Sequence, residues 1–349
     1  MSQGELGRGV SADMAEQPDI VARLFDRHEE LVDEIVGKGL LPARGIMLVA
    51  RGSSDNAAIY ARYLLELATQ VPVALAAPSL YTRYHSRTRV DGWTVLAISQ
   101  SGATPEIVTT VEALCAQGAR AIAVTNDAGS PLAEQCDFTI GLDCGPERAI
   151  PATKTFTASL AAIAAIARAV SAEIWSDSDE RRVVESLGAV LADREPLTAI
   201  ADELLSAEMI SHLGRGFGFA VALEGALKYR EMTGRVAEGI STSDYLHGPI
   251  VAANSRTCVV AYLNSGPTAS DVMDTAKAVR SYGAHLLFVT DDQEGPKGEE
   301  KLRVPFEPVE ALTVFSFAVR AQQLAFACAE RAGVDPDKPV GLHKITLTE

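Results

Sequence analysis

Three charged side chains set into an otherwise apolar stretch are the first candidates for chemistry. In "VALEGALKYREMTGRVAEG" (221–239), Glu224, Lys228 and Glu231 fall at i, i+4 and i+7, so a helix presents them along one face. Such spacing usually marks an exposed, salt-bridged helix. Here Ala222, Leu223, Ala226 and Leu227 make the stretch apolar around most of its circumference, which puts the charged stripe at least partly inside. One loop further on, "DYLHGP" (244–249) places His247 ahead of a Gly-Pro turn. A lone histidine is more often structural than catalytic. One close to a partly buried carboxylate and lysine is a candidate for acid–base work, because such neighbours tune one another's proton affinity.

A second group of residues suits an anion. The run "WTVLAIS" (93–99) is a short apolar strand, and it ends on Ser99, Gln100, Ser101 and Gly102. Thr104-Pro105-Glu106 then starts a helix, with threonine as N-cap, proline at the first helical position and glutamate in the first turn. A strand, a hydroxyl-rich loop and a helix N-terminus make a place for a group such as phosphate, although ordinary capping explains the same residues. A second loop, "RGSSDN", follows the strand "IMLVA" (46–50) and brings Gly52, Ser53 and Ser54. In an open α/β sheet both loops fall at the carboxyl ends of strands, where ligands bind. No G-x-G-x-x-G or Walker A pattern accompanies them, which disfavours a nucleotide.

The elements that must hold these groups alternate β and α. Strands are expected at 46–50, 93–99, "RAIAVT" (120–125) and "DFTIGL" (137–142), and again at "MISHLG" (209–214), "TCVVAYLN" (257–264), "HLLFVTD" (285–291) and "LRVPF" (302–306). The two series repeat each other. Gly52 and Gly216 are 164 residues apart, as are Ser101 and Ser265, Gly102 and Gly266, and Thr104 and Thr268; Gly118 and Gly283 are 165 apart. That is a duplication. Its copies have diverged, with Phe217 and Gly218 in place of Ser53 and Ser54, and Leu263 and Asn264 in place of Ser99 and Gln100. The first copy thus keeps the hydroxyls that the second has largely lost.

Composition bounds the rest. The chain has 349 residues, 47% of them hydrophobic and 22% charged, enough for two domains with their own cores. A net charge of −15 argues against nucleic acid and leaves an anionic ligand dependent on local donors. Five cysteines without a C-x-x-C pair point to a reducing cytoplasm and against a structural zinc site. The start "MSQGELGRGVSADMAEQ" is polar, with no apolar signal-peptide core, and "TASLAAIAAIARAV" (157–170) is too short and too alanine-rich for a membrane span and reads as a buried helix.

Together, "RGSSDN", "SQSGAT", "PATKTFT", "ALEGALKYRE", "HGP" and the ending "DKPVGLHKITLTE" resemble the double sugar-isomerase (SIS) unit of glucosamine-6-phosphate synthase and its stand-alone relatives, including SIS-type glucosamine-6-phosphate deaminases. The likeness runs from about residue 20 to the last. It implies two tandem flavodoxin-like SIS domains, each a parallel sheet flanked by helices, at 41–175 and 195–335, with a helical segment at 1–40 and an active-site tail at 336–349. It implies a phosphosugar substrate, no cofactor, no metal, no nucleic acid, no membrane, and a homodimer whose active site forms between subunits. Ser53, Ser54, Ser99, Gln100, Ser101 and Thr104 would hold the sugar phosphate, with Gly52, Ile150, Ala152 and Glu224 also lining the substrate site. Glu231 would shuttle the proton between C1 and C2, Lys228 would stabilise the enolate-like oxygen, His247 would assist ring opening and Lys344 would reach the substrate carbonyl.

Departures from the family narrow the expectation. The synthase carries a glutaminase domain with a nucleophilic cysteine after its first methionine, whereas here residue 2 is Ser2, the first cysteine is Cys115 and about 40 residues precede the first strand. The expected activity is therefore isomerisation of an amino-sugar 6-phosphate with release of ammonia, most simply glucosamine 6-phosphate to fructose 6-phosphate. Pro151, Ala152 and Arg230 differ from the synthase and bear on which substrate is used. A galactosamine-6-phosphate or fructosamine-phosphate enzyme and a non-catalytic phosphosugar sensor are the alternatives. Retention of Glu231, His247 and Lys344 speaks against the sensor.

Overall fold

Short apolar runs capped by glycine or hydroxyl residues form ten strands in a computed structural model of the chain, which describes residues 6–292 and 296–344. The first five are β1 (Ile46–Val49), β2 (Val73–Leu75), β3 (Thr94–Ile98), β4 (Arg120–Thr125) and β5 (Phe138–Gly141). They form one parallel sheet in the order β2-β1-β3-β4-β5. The other five are β6 (Met209–Gly214), β7 (Ala237–Ser241), β8 (Thr257–Leu263), β9 (His285–Thr290) and β10 (Glu300–Arg303), in the order β10-β9-β8-β6-β7. Counted within each half and read from the opposite edge, the second order is the same 2-1-3-4-5 arrangement as the first. Registers repeat too: Ile46 pairs with Thr94 at the start of β1 and β3, and Met209 with Thr257 at the start of β6 and β8. Duplication in sequence is duplication in topology.

The expected fold class stands: two doubly wound, flavodoxin-like α/β sheets. Two strands were not foreseen. β2 is three residues long, and β7 ("AEGIS") is mixed in polarity; both lie at sheet edges, where pairing on one side demands no continuous apolar run. The central strands β3 and β8 are buried along their whole length, as strands covered on both faces must be.

Contacts group residues 19–146, 154–176 and 343–344 into one unit, and residues 6–18, 147–153, 177–292 and 296–342 into another. In the first, Val49, Val95 and Ala97 pack with Ile107, Val111 and Leu114 of the helix Pro105–Cys115. In the second, Leu213, Val259 and Ala261 pack with Val272, Ala276 and Val279 of the helix Ala269–Ser281. The helix Lys154–Val170 is buried apart from its last residue, as its alanine-rich sequence implied. The helix Glu310–Ala332 has the length and apolarity to cross a membrane, but its apolar window lies wholly in the interior, against the helix Phe217–Thr233 among others.

Candidate functional site

The hydroxyl loops of the first unit lie where chain direction across the sheet reverses. β1 and β3 are neighbours, and their connections leave toward opposite edges, so a crevice opens beyond their carboxyl ends. From β1 the chain turns at Gly52 (φ 60, ψ −134), a conformation that favours glycine, straight into the helix Ser53–Thr69. Ser53 and Ser54 occupy its first turn and are half-buried. From β3, Ser99 keeps the ladder by donating its N–H to Val124 O (3.0 Å), and the chain then folds back so that Gly102 N–H reaches both Ser99 O and Ser99 Oγ at 3.2 Å. A Cβ on Gly102 would lie 2.0 Å from Ser130 Oγ, so only glycine closes this loop.

Beyond the loop, Thr104 is the N-cap of the helix Pro105–Cys115, with Pro105 at its first position as expected. Its hydroxyl makes no capping bond, whereas Ser130, at the start of Pro131–Gln135, spends its own on Ala133 N–H. A cap oxygen left uncommitted beside a helix N-terminus suits an incoming anion. Ser101 Oγ accepts from Ala103 N–H (3.3 Å), and the backbone carbonyl of Gln100 accepts from Asn126 N–H (3.0 Å).

Arg51 and Glu106 tie the two loops together. Arg51 Nε and Nη2 donate to Glu106 Oε2 and Oε1 at 3.0 and 3.1 Å, a bidentate pair whose carboxylate is buried. The sequence reading used Gly52 of "RGSSDN" and Glu106 as a helix-start residue but missed this clamp. The repeat held a signal for it, because Arg215 stands one residue before Gly216 just as Arg51 does before Gly52. Arg215 in turn pairs with Asp271, at 3.3 Å.

The second unit carries the acid–base helix. β6 ends at Gly214, Gly216 (φ 55, ψ −127) repeats the turn of Gly52, and the helix runs Phe217–Thr233 until Gly234 (φ 70) ends it in the left-handed conformation. Glu224 and Lys228 are fully buried, and the Glu231 side chain is 21% exposed. Lys228 Nζ lies 3.5 Å from Glu224 Oε1 and donates to Glu231 Oε2. Burial pulls the lysine's proton affinity down, but the charges of Glu224, Glu231 and Glu147 outweigh it and hold the pKa above the usual lysine value. Lys228 is therefore an ammonium at neutral pH. Glu147 is a participant that the sequence reading missed, since it lies far along the chain in 147–153; its carboxylate is fixed by Thr153 N–H at 2.8 Å.

Beneath this helix sits a neutral layer. His212 Nδ1 and Tyr262 OH are 3.0 Å apart, and burial pushes the His212 pKa down to about 3, so its imidazole is uncharged. A Cβ on Gly225 would come within 2.4 Å of that tyrosine oxygen, which explains a glycine one residue after Glu224.

His247 stands at the surface, at the end of the short helix Thr242–Leu246, and Gly248 (φ 154) turns the chain after it. It forms neither hydrogen bond nor ion pair with Glu231 or Lys228 of its own chain. Ile150 and Ala152 are half-buried in 147–153, and Ile150 N–H donates to Asp337 O (3.2 Å). The structure thus groups Ile150, Ala152, Glu224, Lys228, Glu231 and His247 with the second sheet. Gly52, Ser53, Ser54, Ser99, Gln100, Ser101 and Thr104 go with the first, as does half-buried Lys344, the last described residue. The rest of the expected tail, 345–349, lies outside the described residues.

Two parallel sheets of one strand order, hydroxyl loops at the crevice of one and a buried carboxylate–ammonium–carboxylate row on the other define a duplicated α/β protein whose copies have diverged. The chain belongs to the SIS family: the SIS domain matches residues 39–169 and 203–327. Among curated relatives, glutamine–fructose-6-phosphate aminotransferase (isomerizing) of Thermococcus kodakarensis is 29% identical over 345 residues, covering 96% of this chain and 57% of that protein. The enzyme of the same name from Zymomonas mobilis is 28% identical over 371 residues, covering all of this chain and 60% of its own length. The chain therefore spans somewhat over half of these relatives. A crystal structure from Silicibacter pomeroyi DSS-3, of a chain assigned to the phosphosugar isomerases, matches at 30% identity and a TM-score of 0.80, covering 94% of this chain and 99% of that one. Glucosamine-6-phosphate deaminase of Thermotoga maritima shares the fold at 23% identity, with a TM-score of 0.77 over 97% and 100% of the two chains.

Proposed function

We propose that this protein is a phosphosugar aldose–ketose isomerase that releases ammonia from an amino-sugar 6-phosphate, converting glucosamine 6-phosphate and water to fructose 6-phosphate and ammonia. The observation that carries this reading is Lys228, a fully buried ammonium between Glu224 and Glu231 on one helix face. Hydrogen transfer between adjacent carbons needs a carboxylate that reaches both, and a fixed cation facing the oxygen where negative charge grows. Glu231, the partly exposed member, takes the C2 proton and returns it at C1, while the C1 oxygen, facing Lys228, gains a proton and the amine nitrogen gives one up, so that C2 becomes an imine. Water then adds at C2, and the C2–N bond breaks to free ammonia. His247 opens the ring, and Lys344 meets the carbonyl. The phosphate rests on Ser53, Ser54, Ser99, Gln100, Ser101 and Thr104, far from the reacting carbons, and its binding energy orients them. The site forms between two copies of the chain. Five free cysteines, three of them buried, suit a cytoplasmic protein.

The direct test is ammonia release by the purified chain, without glutamine, from glucosamine, galactosamine and fructosamine phosphates in parallel. Release from glucosamine 6-phosphate with fructose 6-phosphate as product supports the reading. Release from another member alone reassigns the substrate, and neither ammonia nor isomerised sugar from any member rejects the activity.

A further inference from the structure

The second sheet has a counterpart of the hydroxyl loops, and a group of the protein itself already fills it. Gly216 turns as Gly52 does, and beyond β8 stand Asn264, Ser265, Gly266 and Thr268, the counterparts of Gln100, Ser101, Gly102 and Thr104. Between these loops lies the carboxylate of Glu310, the first residue of the helix Glu310–Ala332. Its Oε1 accepts from Asn264 Nδ2 and from Thr268 Oγ1, both at 2.8 Å. A Cβ on Gly266 would meet its Oε2 at 2.8 Å, and one on Gly216 would lie 3.4 Å from its Oε1. The carboxylate therefore touches the equivalents of both halves of the first unit's cradle. The corresponding last helix of the first unit begins with Lys154 instead, and there Thr104 keeps an uncommitted hydroxyl.

We propose that Glu310 is a tethered anion occupying the anion site of the second copy, so that the chain takes one phosphorylated ligand although its fold provides two cradles. Three features support this. Asn264 is nearly buried, and its amide needs an acceptor that Glu310 supplies. An anion carried on the chain reaches the site at an effective concentration no free ligand matches, and pays no entropy of association. Arg215, the counterpart of Arg51, still pairs with an acid in the first turn of the following helix, Asp271, through one exposed 3.3 Å contact. Arg51–Glu106 is bidentate on a buried carboxylate, so part of the frame remains although the Ser53 and Ser54 equivalents are lost.

The test counts inorganic phosphate bound per full-length chain by calorimetric titration. Glu310→Ala should bind one phosphate more than the parent chain, acetate should compete for it, and adding Asn264→Ala should remove it. Glu310→Gln, which keeps the shape of the side chain, should gain none. Glu310→Ser repeats the measurement should the alanine variant misfold. Equal counts in parent and shortened variants overturn the proposal, as does an added phosphate indifferent to Asn264→Ala. Misfolding of both shortened variants also overturns it, since a carboxylate that only plugs a site is not needed for the core. The readout is the difference between chains, so it is independent of the proposed catalytic cradle: one to two if that cradle binds phosphate, none to one if it does not.

Discussion

Glu231 and Glu224 flank the same ammonium, yet only Glu231 keeps access to solvent, which is why the proposed proton transfer is placed on Glu231. Replacing Glu231 with glutamine removes the proposed proton carrier and leaves the hydroxyl loops of the first unit untouched. Turnover should fall to background while phosphosugar affinity, measured by calorimetry, stays within a few-fold. Equal losses in both would mean Glu231 binds and does not react. Beneath that row, His212 gives the fold an acid-sensitive point. Its pKa is lowered to about 3 in the folded chain from an ordinary 6.5, so the unfolded chain binds the extra proton in between. The stability that the neutral His212 contributes is therefore fully present above about 6.5 and is lost as pH falls toward 3. Denaturant unfolding across that window should show a steeper acid decline for the parent than for His212→Gln, and parallel curves would show that the imidazole does not carry the loss. Of these groups, the Glu224, Lys228 and Glu231 row was legible in sequence from its spacing together with the apolar residues around it. His212 was not, because one histidine in an apolar strand carries no pattern.

Loops and helix starts decide whether the hydroxyls of the first unit act as one site. Ser101 and Thr104 are separated by a turn that Gly102 alone permits, and Arg51 binds that segment, through Glu106, to the Gly52 loop. Ser101→Ala with Thr104→Ala should weaken phosphosugar binding by about 1–3 kcal/mol, the cost of leaving anionic oxygens short of donors. Unchanged affinity would remove these residues from the cradle. Arg51→Gln should act differently: it touches no proposed ligand atom but loosens the spacing of the two loops, so KM should rise roughly tenfold with kcat nearly constant, as expected when ground-state and transition-state binding are lost together. A fall in kcat alone would place Arg51 nearer the chemistry. Sequence showed the strand ends, the Thr104-Pro105 helix start and the glycines, since each is a local preference. It did not show the clamp, which joins residues 55 positions apart, nor the edge strands β2 and β7, whose short or polar runs gain little from burial.

Across the whole chain, duplication was the most legible feature, because a nearly constant offset of 164 or 165 aligns glycines that only a shared backbone path would keep. Less legible was how the copies diverged: lost serines showed that the second loop pair had changed, but only the structure shows Glu310 lying between those loops. The remaining question at this scale is where His247 acts. It is exposed and makes no hydrogen bond or ion pair with Glu231 or Lys228 of its own chain, and we propose that the histidine beside Glu231 comes from a second copy. That makes a quantitative expectation for mixed subunits. Glu231→Gln and His247→Ala chains, each inactive alone, should regain activity when unfolded and refolded together. Each mixed dimer has one site with both defects and one with neither, so random pairing should restore about a quarter of parental activity. Recovery near that level places His247 across the subunit boundary. No recovery, in a mixture shown by tagged chains to contain the mixed dimer, would put both residues in the same chain's site and require His247 to swing inward when the sugar binds.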